Sequence, residues 1–330
     1  MEPIRTWTTT DGETLEASWD KVASNVEQLH AGCTMIKRLD EIQLVFCWCP
    51  AGEFLMGSSS NEWWRRKDET LHPVKLTKGF WMLETPVTQE IWGRVMERLV
   101  ERRYCKSSYY EGSEYPITHV SWEECQEFCR RLSEKIGMKV ALPTEAQWEY
   151  ACRAGTKTPF AVDMRKPHRN WWDGSTPNRN GIHSMEWLGS PGAKFWVYCF
   201  YALILCLLVI SFISERFVFV AAVIAFCSLF ACLKAAGKKY VHPTGEKDPN
   251  AWGLCDMHGN VWEWCQDWYG AYPKDFTTDP TGPDSGEFRV VRGGSGYDPT
   301  WCCRSACRGK RKSTEMRCNI GFRVVGSGTE

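Results

Sequence analysis

The sequence predicts an α+β, loop-rich fold carrying an inserted transmembrane helical hairpin. Three observations point to it. Short runs of strand character alternate with stretches that open on helix-start signals, with no fixed repeat. Eighteen tryptophans among 330 residues indicate an irregular core held by large aromatic side chains. Two long uncharged runs, 195–213 and 217–233, interrupt an otherwise ordinary soluble composition. Lysine plus arginine and aspartate plus glutamate both number 40, so no net field draws the chain to nucleic acid.

In chain order, residues 1–40 read as an N-terminal arm or small β-module. Arg5 to Trp19 alternates well enough for two short strands around the Asp11-Gly12 turn. Residues 41–58 (EIQLVFCWCPAGEFLMGS) read as a strand and a turn, with Cys47 and Cys49 on one face and in the core. Phe80 to Thr88 is a further strand-like run. Thr88 caps a helix from Gln89, with Glu90 in its first turn. Ser121 and Glu124 form a capping box for a second helix, whose Cys125, Phe128, Cys129 and Leu132 recur at helical spacing as core residues. Thr144 caps a third helix ending at Gly155, on which Glu145 and Glu149 read as surface or dipole charges. Tyr269 to Gly286 is a polar loop with DPTGPDSG turn chemistry. Strands are expected at 288–295 and 319–325.

The first uncharged run spans 19 positions and the second 17, joined by Ser214-Glu215-Arg216. About 20 apolar residues cross a bilayer, and a soluble helix is seldom apolar on every face for so long. A hairpin returns the chain to the side it left. Lys194 at one end and Lys234, Lys238 and Lys239 at the other place both ends, and the globular domain, in the cytoplasm. The N-terminal residues lack the basic and apolar regions of a signal peptide, and 17 cysteines without framework spacing read as mostly reduced thiols. The expected partition is 1–40, 41–193, the hairpin 194–234, and 235–330.

The stretch GLCDMHGNVWEWCQDW (Gly253–Trp268) concentrates chemistry. Asp256, Gly259, Val261 and Glu263 put two carboxylates and two backbone carbonyls within eight residues, the oxygen donors a calcium ion takes. A buried tryptophan-rich turn with solvated acids is the alternative. His72, His119 and His258 share no metal spacing. His258 reads as structural or pocket-lining.

Five ordered stretches resemble the formylglycine-generating enzyme, or sulfatase-modifying factor, family. They are GLCDMHGNVWEW itself, CPAGEFLMGS (Cys49–Ser58), PVTQEIW (Pro86–Trp92), His119–Gly155, and RVVRGGS…CRSACR…NIGFRVV (Arg289–Val325). The resemblance covers residues 45–160 and 245–325. It implies a C-type-lectin-like fold with bound calcium and pairs the last strand with the start of the domain. Enzymes of the family oxidise a substrate cysteine in a Cys-x-Pro-x-Arg sequence to formylglycine, using oxygen and copper(I) held by two cysteines five apart. Soft thiolates select Cu(I). Cys302 and Cys307 have that spacing, and Ser295 and Trp262 match positions beside the active site.

Cys302 lies seven positions after Ser295, where the enzymes place the first cysteine about three positions on. Counting back from Gly321-Phe322-Arg323 instead aligns Cys303-Arg304-Ser305-Ala306 with the large bacterial branch that lacks the copper pair. That alignment needs no gap. It makes Cys303 a core thiol and Arg304, Arg308 and Arg323 structural. The reading that follows is a membrane-anchored module binding a peptide, protein or small ligand without oxidation; the alternative is a formylglycine-generating oxidase.

Overall fold

The computed structural model describes residues 29–97, 112–162 and 241–327, and the backbone of 5–8 and 14–17. Residues 1–168 and 241–330 group as one compact unit, which the following paragraphs describe. The expected hairpin at 194–234 lies outside the described residues. Among the described residues no helix is long and apolar enough to cross a membrane.

The expected N-terminal hairpin is present as β1 (Arg5–Thr8) and β2 (Thr14–Ala17), antiparallel, with Arg5 opposite Ala17. The helix starts also follow the sequence. Thr88 accepts a hydrogen bond from Ile91 N at the head of α1 (Gln89–Met96). Ser121 and Glu124 close a full capping box on α2 (Trp122–Ile136). Thr144 and Gln147 close another on α3 (Glu145–Arg153). Each box satisfies backbone donors that a helix start otherwise orphans.

The central sheet has five strands in the order β3 (Thr34–Leu39), β4 (Ile42–Cys49), β7 (Phe80–Leu83), β14 (Val325–Ser327) and β8 (Val140–Ala141). Side chains alternate across it with period two. Trp81 and Leu83 enter one core with Phe46 and Trp48, while Phe80 and Met82 enter the other with Cys47 and Cys49. The first core is covered by α1 and α2, where Trp92 and Phe128 stack at 5.5 Å and Phe322 meets Phe128 edge-on at 5.1 Å. The second is covered by α3.

A four-stranded sheet runs β12 (Arg308–Arg311), β11 (Arg289–Arg292), β9 (Trp262–Trp268) and β13 (Ile320–Gly321). A three-stranded sheet joins β10 (Thr277–Thr278), β6 (His72–Leu76) and β5 (Gly52–Met56). The single strand expected at 319–325 is two. β13 pairs with β9 and β14 pairs with β7 and β8, because the chain changes sheets at Phe322–Val324. The last strand still lies against the start of the domain, so the segments before and after residues 163–240 interleave.

Glu145 and Glu149 are not surface charges. Both are buried, and α3 turns them inward onto arginines from later strands. Arg308 grips Glu145 through two hydrogen bonds of 2.7 and 2.8 Å. Arg292 joins both acids, and Arg153 holds Glu149 at 2.7 Å. Arg304 lies between Glu62 and Glu69. A charge enters such an interior only with a partner.

Candidate functional site

β9 delivers Trp262 and Glu263 from a turn in which Asp256, Gly259 and Asn260 all adopt positive φ. That turn folds back on the segment entering from residue 241. Asp256 Oδ2 accepts from Gly245 N at 2.8 Å, and Asn260 exchanges two hydrogen bonds with the His242 backbone. Asp256 Oδ1 is buried and has no protein partner at hydrogen-bond distance; His242 Nε2 stands 3.8 Å away.

Glu263 is placed differently. Its Oε1 accepts from Arg323 Nη2 at 2.8 Å, and its Oε2 accepts from Arg323 Nε and Trp148 Nε1, both at 2.7 Å. The expected calcium set therefore fits in part. Asp256 carries an orphaned carboxylate oxygen. Glu263 is wholly buried, its charge is already matched by Arg323, and it keeps spare acceptor capacity on Oε1. Among the described residues no three histidine, cysteine, aspartate or glutamate side chains converge as a metal cluster.

The second half of the site follows β11. Gly293 and Gly294 turn the chain with φ of 97° and 72°. A Cβ on Gly294 would stand 2.6 Å from Cys303 Sγ, so the turn admits no side chain there. Ser295 then starts a tight turn closed by Asp298 N to Ser295 O at 2.9 Å, and a single 3₁₀ turn, Thr300–Cys303, follows. These two turns absorb the extra residues between Ser295 and Cys302.

Cys302 and Cys307 are both buried, and each perturbs the other. Cys307 lowers the Cys302 pKa from its ordinary value, and Cys302 raises that of Cys307. Arg66 Nη2 lies 4.0 Å from Cys302 Sγ while its Nη1 donates to Arg308 O at 3.1 Å. Ser295 and Trp262 are wired into one network through a residue that sequence reasoning missed. Both donate to Asp298 Oδ2, Trp262 Nε1 at 2.8 Å, and Asn319 Nδ2 donates to Ser295 Oγ at 3.2 Å. Asp298 carries no sequence signal beyond its Asp-Pro turn, and Asn319, the first residue of NIGFRVV, reads only as the start of a strand. Trp64 stacks on Trp301 at 5.6 Å, next to the thiol pair in the chain, and Trp63 is 77% exposed.

The remaining thiols are framework. Burial pushes Cys152 up to about 12 and drives Cys303 up beyond it. Burial lowers His258 to about 4; its Nδ1–H donates to Cys303 O at 2.8 Å and its Nε2 accepts from Ala161 N at 2.9 Å, a structural role. The described cysteines carry no disulfide.

The fold recurs in solved structures. Treponema denticola variable protein 1 superposes with a TM-score of 0.61 at 20% identity, covering 89% of this chain and 99% of that one. PvdO from Pseudomonas aeruginosa gives 0.62 at 24%, covering 91% and 99%. At such identities the likeness concerns the fold alone. The family described as Sulfatase-modifying factor enzyme 1-like domain matches residues 41–195 and 224–327, and the chain belongs to it. Formylglycine-generating enzyme of Mus musculus is 28% identical over 229 residues, 66% of this chain and 46% of the mouse protein. That of Streptomyces coelicolor is 29% identical over 216 residues, 64% and 52%. Serine/threonine-protein kinase pkn1 of Chlamydia caviae is 38% identical over 300 residues, 83% of this chain and 36% of the kinase. The chain thus spans about half the length of the formylglycine-generating enzymes it matches.

Proposed function

We propose that Cys302 and Cys307 form a two-thiolate Cu(I) site and that the chain acts there on a substrate thiol, in the manner of formylglycine formation. One observation carries this reading: Cys302 and Cys307 are both buried and lie close enough for each to shift the titration of the other, although the sequence spacing from Ser295 argued against it. The donor set suits the ion, since two soft thiolates leave room for a third. Bound there, copper(I) would supply oxygen chemistry at the incoming sulfur. The chain's own residues prepare the place. Cys302 gives up its proton first, because Cys307 and the facing Arg66 guanidinium lower its pKa. Cys307 holds its proton more tightly than Cys302, and would have to release it to hold copper(I). Ser295, Trp262 and Asn319 hold Asp298 and the turn that leads to the pair.

The second reading is a module that binds a peptide, protein or small ligand without oxidising it. Exposed Trp63 and Trp64 beside Trp301 favour it, since large exposed indoles mark contact surfaces. Anaerobic Cu(I) competition with the full chain separates the two. The expected result is tight one-to-one binding lost in both Cys302→Ser and Cys307→Ser, followed by oxygen-dependent conversion of a Cys-x-Pro-x-Arg peptide. Equal, weak binding in all three proteins rejects the copper site and leaves the binding module.

Both readings include calcium at Asp256, Gly259, Val261 and Glu263, and anchoring in membrane lipid through residues 195–233 with the domain on the cytoplasmic side. Support for the anchor lies in the family match, which leaves 196–223 unmatched, and in the two uncharged runs 195–213 and 217–233. Alkaline carbonate extraction tests it: the full chain stays with the membrane pellet and a chain lacking 195–233 is released, whereas release of both defeats the anchor.

A further inference from the structure

The loop that joins β5 to β6 stands beside the thiol pair. Arg66 Nη1 donates to Arg308 O at 3.1 Å while its Nη2 faces Cys302 Sγ. Trp64 stacks on Trp301, the residue before Cys302. The loop closes on itself through Glu62 N to Ser59 O, Arg65 N to Glu62 O and Glu69 N to Arg66 O. Arg304 braces it, donating to Glu62, to Glu69 and to the Trp64 carbonyl at 2.9 Å. Trp64 is held at a φ of 58°, which a bulky side chain adopts only where its surroundings enforce it. The loop is therefore pre-formed, which lowers the cost of binding to it.

Its charges are sorted by side. The acids are spent inward, Glu62 and Glu69 on Arg304 and Asp68 on the Tyr269 hydroxyl. Arg65, Arg66 and Lys67 are exposed. Arg65 Nε donates to Ser58 O at 3.2 Å and Arg66 to Arg308 O, both carbonyls, and among the described residues none of the three cations has a carboxylate partner. The Asp298 carboxylate also acts on Cys302, but its Oδ2 already accepts from Ser295 and Trp262, and one negative charge does not balance three positive ones. Beside the cations runs a row of indoles. Trp63, 77% exposed, meets Trp64 edge-on at 5.7 Å, and Trp64 stacks on Trp301 at 5.6 Å. Contiguous exposed indoles mark a contact surface, and unmatched charge at its edge sets the sign of the partner.

A segment whose thiol reaches Cys302 lies within reach of this loop. We infer that the loop selects the substrate: it takes a polypeptide segment in which acidic residues flank the reacting cysteine, with the acids paired to Arg65 and Lys67 and a neighbouring apolar side chain laid on Trp63. This role rests on the reading of Cys302 and Cys307 as the place a substrate thiol reaches. An anionic membrane carries the same charge, but a lipid surface pressed onto Trp63 and Trp64 would cover the way to the pair.

Fluorescence anisotropy on the full, metal-free chain tests it. The probes are two labelled peptides with the core Ser-x-Pro-x-Arg, serine standing in for the cysteine, one flanked by glutamates and the other by lysines. The glutamate peptide binds about tenfold more tightly at low salt, as two or three exposed charge pairs allow, and the difference shrinks at about 0.5 M salt. The double variant Arg65→Gln, Lys67→Gln loses the preference, and Trp63→Ala weakens both peptides. All three positions are exposed, so the variants keep the fold. Equal binding of the two peptides, tighter binding of the lysine peptide, or a preference unchanged in the double variant overturns the inference. Phosphatidylserine vesicles that displace the glutamate peptide from the unaltered chain, but do not bind Trp63→Ala, overturn it too and give the loop to a lipid surface. The copper reading fails separately. A glutamate-flanked cysteine peptide that binds best and yet stays unoxidised with Cu(I) and oxygen rejects the oxidase and leaves the charge preference standing. Oxidation of both cysteine peptides with equal kcat/KM rejects the loop's role and leaves the copper site standing.

Discussion

The buried arginines and the candidate ligand positions, Asp256 and the Cys302–Cys307 pair, use their polar groups in opposite ways. Around the arginines they are consumed. Arg323 spends its donors on both oxygens of Glu263 and on the carbonyls of Leu83, Glu84 and Cys255. One side chain thus ties the end of β7, the turn before β9 and β9 itself together. Arg304 does the same for the carbonyls of Trp64 and Trp301 between Glu62 and Glu69. In a domain with so little regular structure, buried guanidinium groups satisfy the loop carbonyls that a sheet or helix would otherwise satisfy. At the candidate positions, Cys302 and Cys307 perturb each other's titration, and Asp256 Oδ1 meets no protein donor. Groups left with spare capacity are where a ligand can add energy. Groups already consumed are where a mutation removes it.

The largest effect should therefore come from the consumed side. Glu263→Gln leaves Arg323 charged, wholly buried and unpaired, and removing one partner of such a pair costs about 3–5 kcal/mol. Urea denaturation should show that loss with and without added calcium. Cys302→Ser, by contrast, should shift the midpoint by less than about 1 kcal/mol, an ordinary value for a site not locked into the framework. If the two substitutions cost the same, the division between framework and site fails.

Much of the frame was legible in local chemistry. Thr88, Ser121 and Thr144 announce their helices because a cap is a short-range hydrogen bond written within four residues. Cys47 and Cys49 read as core for a similar reason, since strand alternation is local. What could not be read was long-range. Glu145 and Glu149 sit one turn apart on a helix, the usual signature of an exposed face, and their partners Arg292 and Arg308 arrive about 140 to 160 residues later. How near Cys302 lies to Cys307 could not be read by counting residues from Ser295 either. Distance along a chain says little when two tight turns absorb the surplus, and Asp298, which joins Ser295 to Trp262, sits in the first of them.

A smaller effect tests the same division within a single turn. Asp256 and Glu263 lie seven positions apart and look equivalent as calcium ligands in the sequence. In the fold, Asp256 Oδ2 is occupied by Gly245 N while Oδ1 is orphaned, and both oxygens of Glu263 already accept hydrogen bonds. Asp256→Asn keeps an acceptor for Gly245 N, and asparagine tolerates the positive φ of 58° at that position. Without calcium it should leave the melting temperature nearly unchanged. With calcium at a hundredfold excess over its dissociation constant, the unaltered chain should gain about 2.7 kcal/mol, which is several degrees. The variant should gain much less. A chain whose melting temperature ignores both calcium and chelator would remove calcium from the site. A variant that melts early without any calcium would instead put Asp256 with Glu263, in the framework.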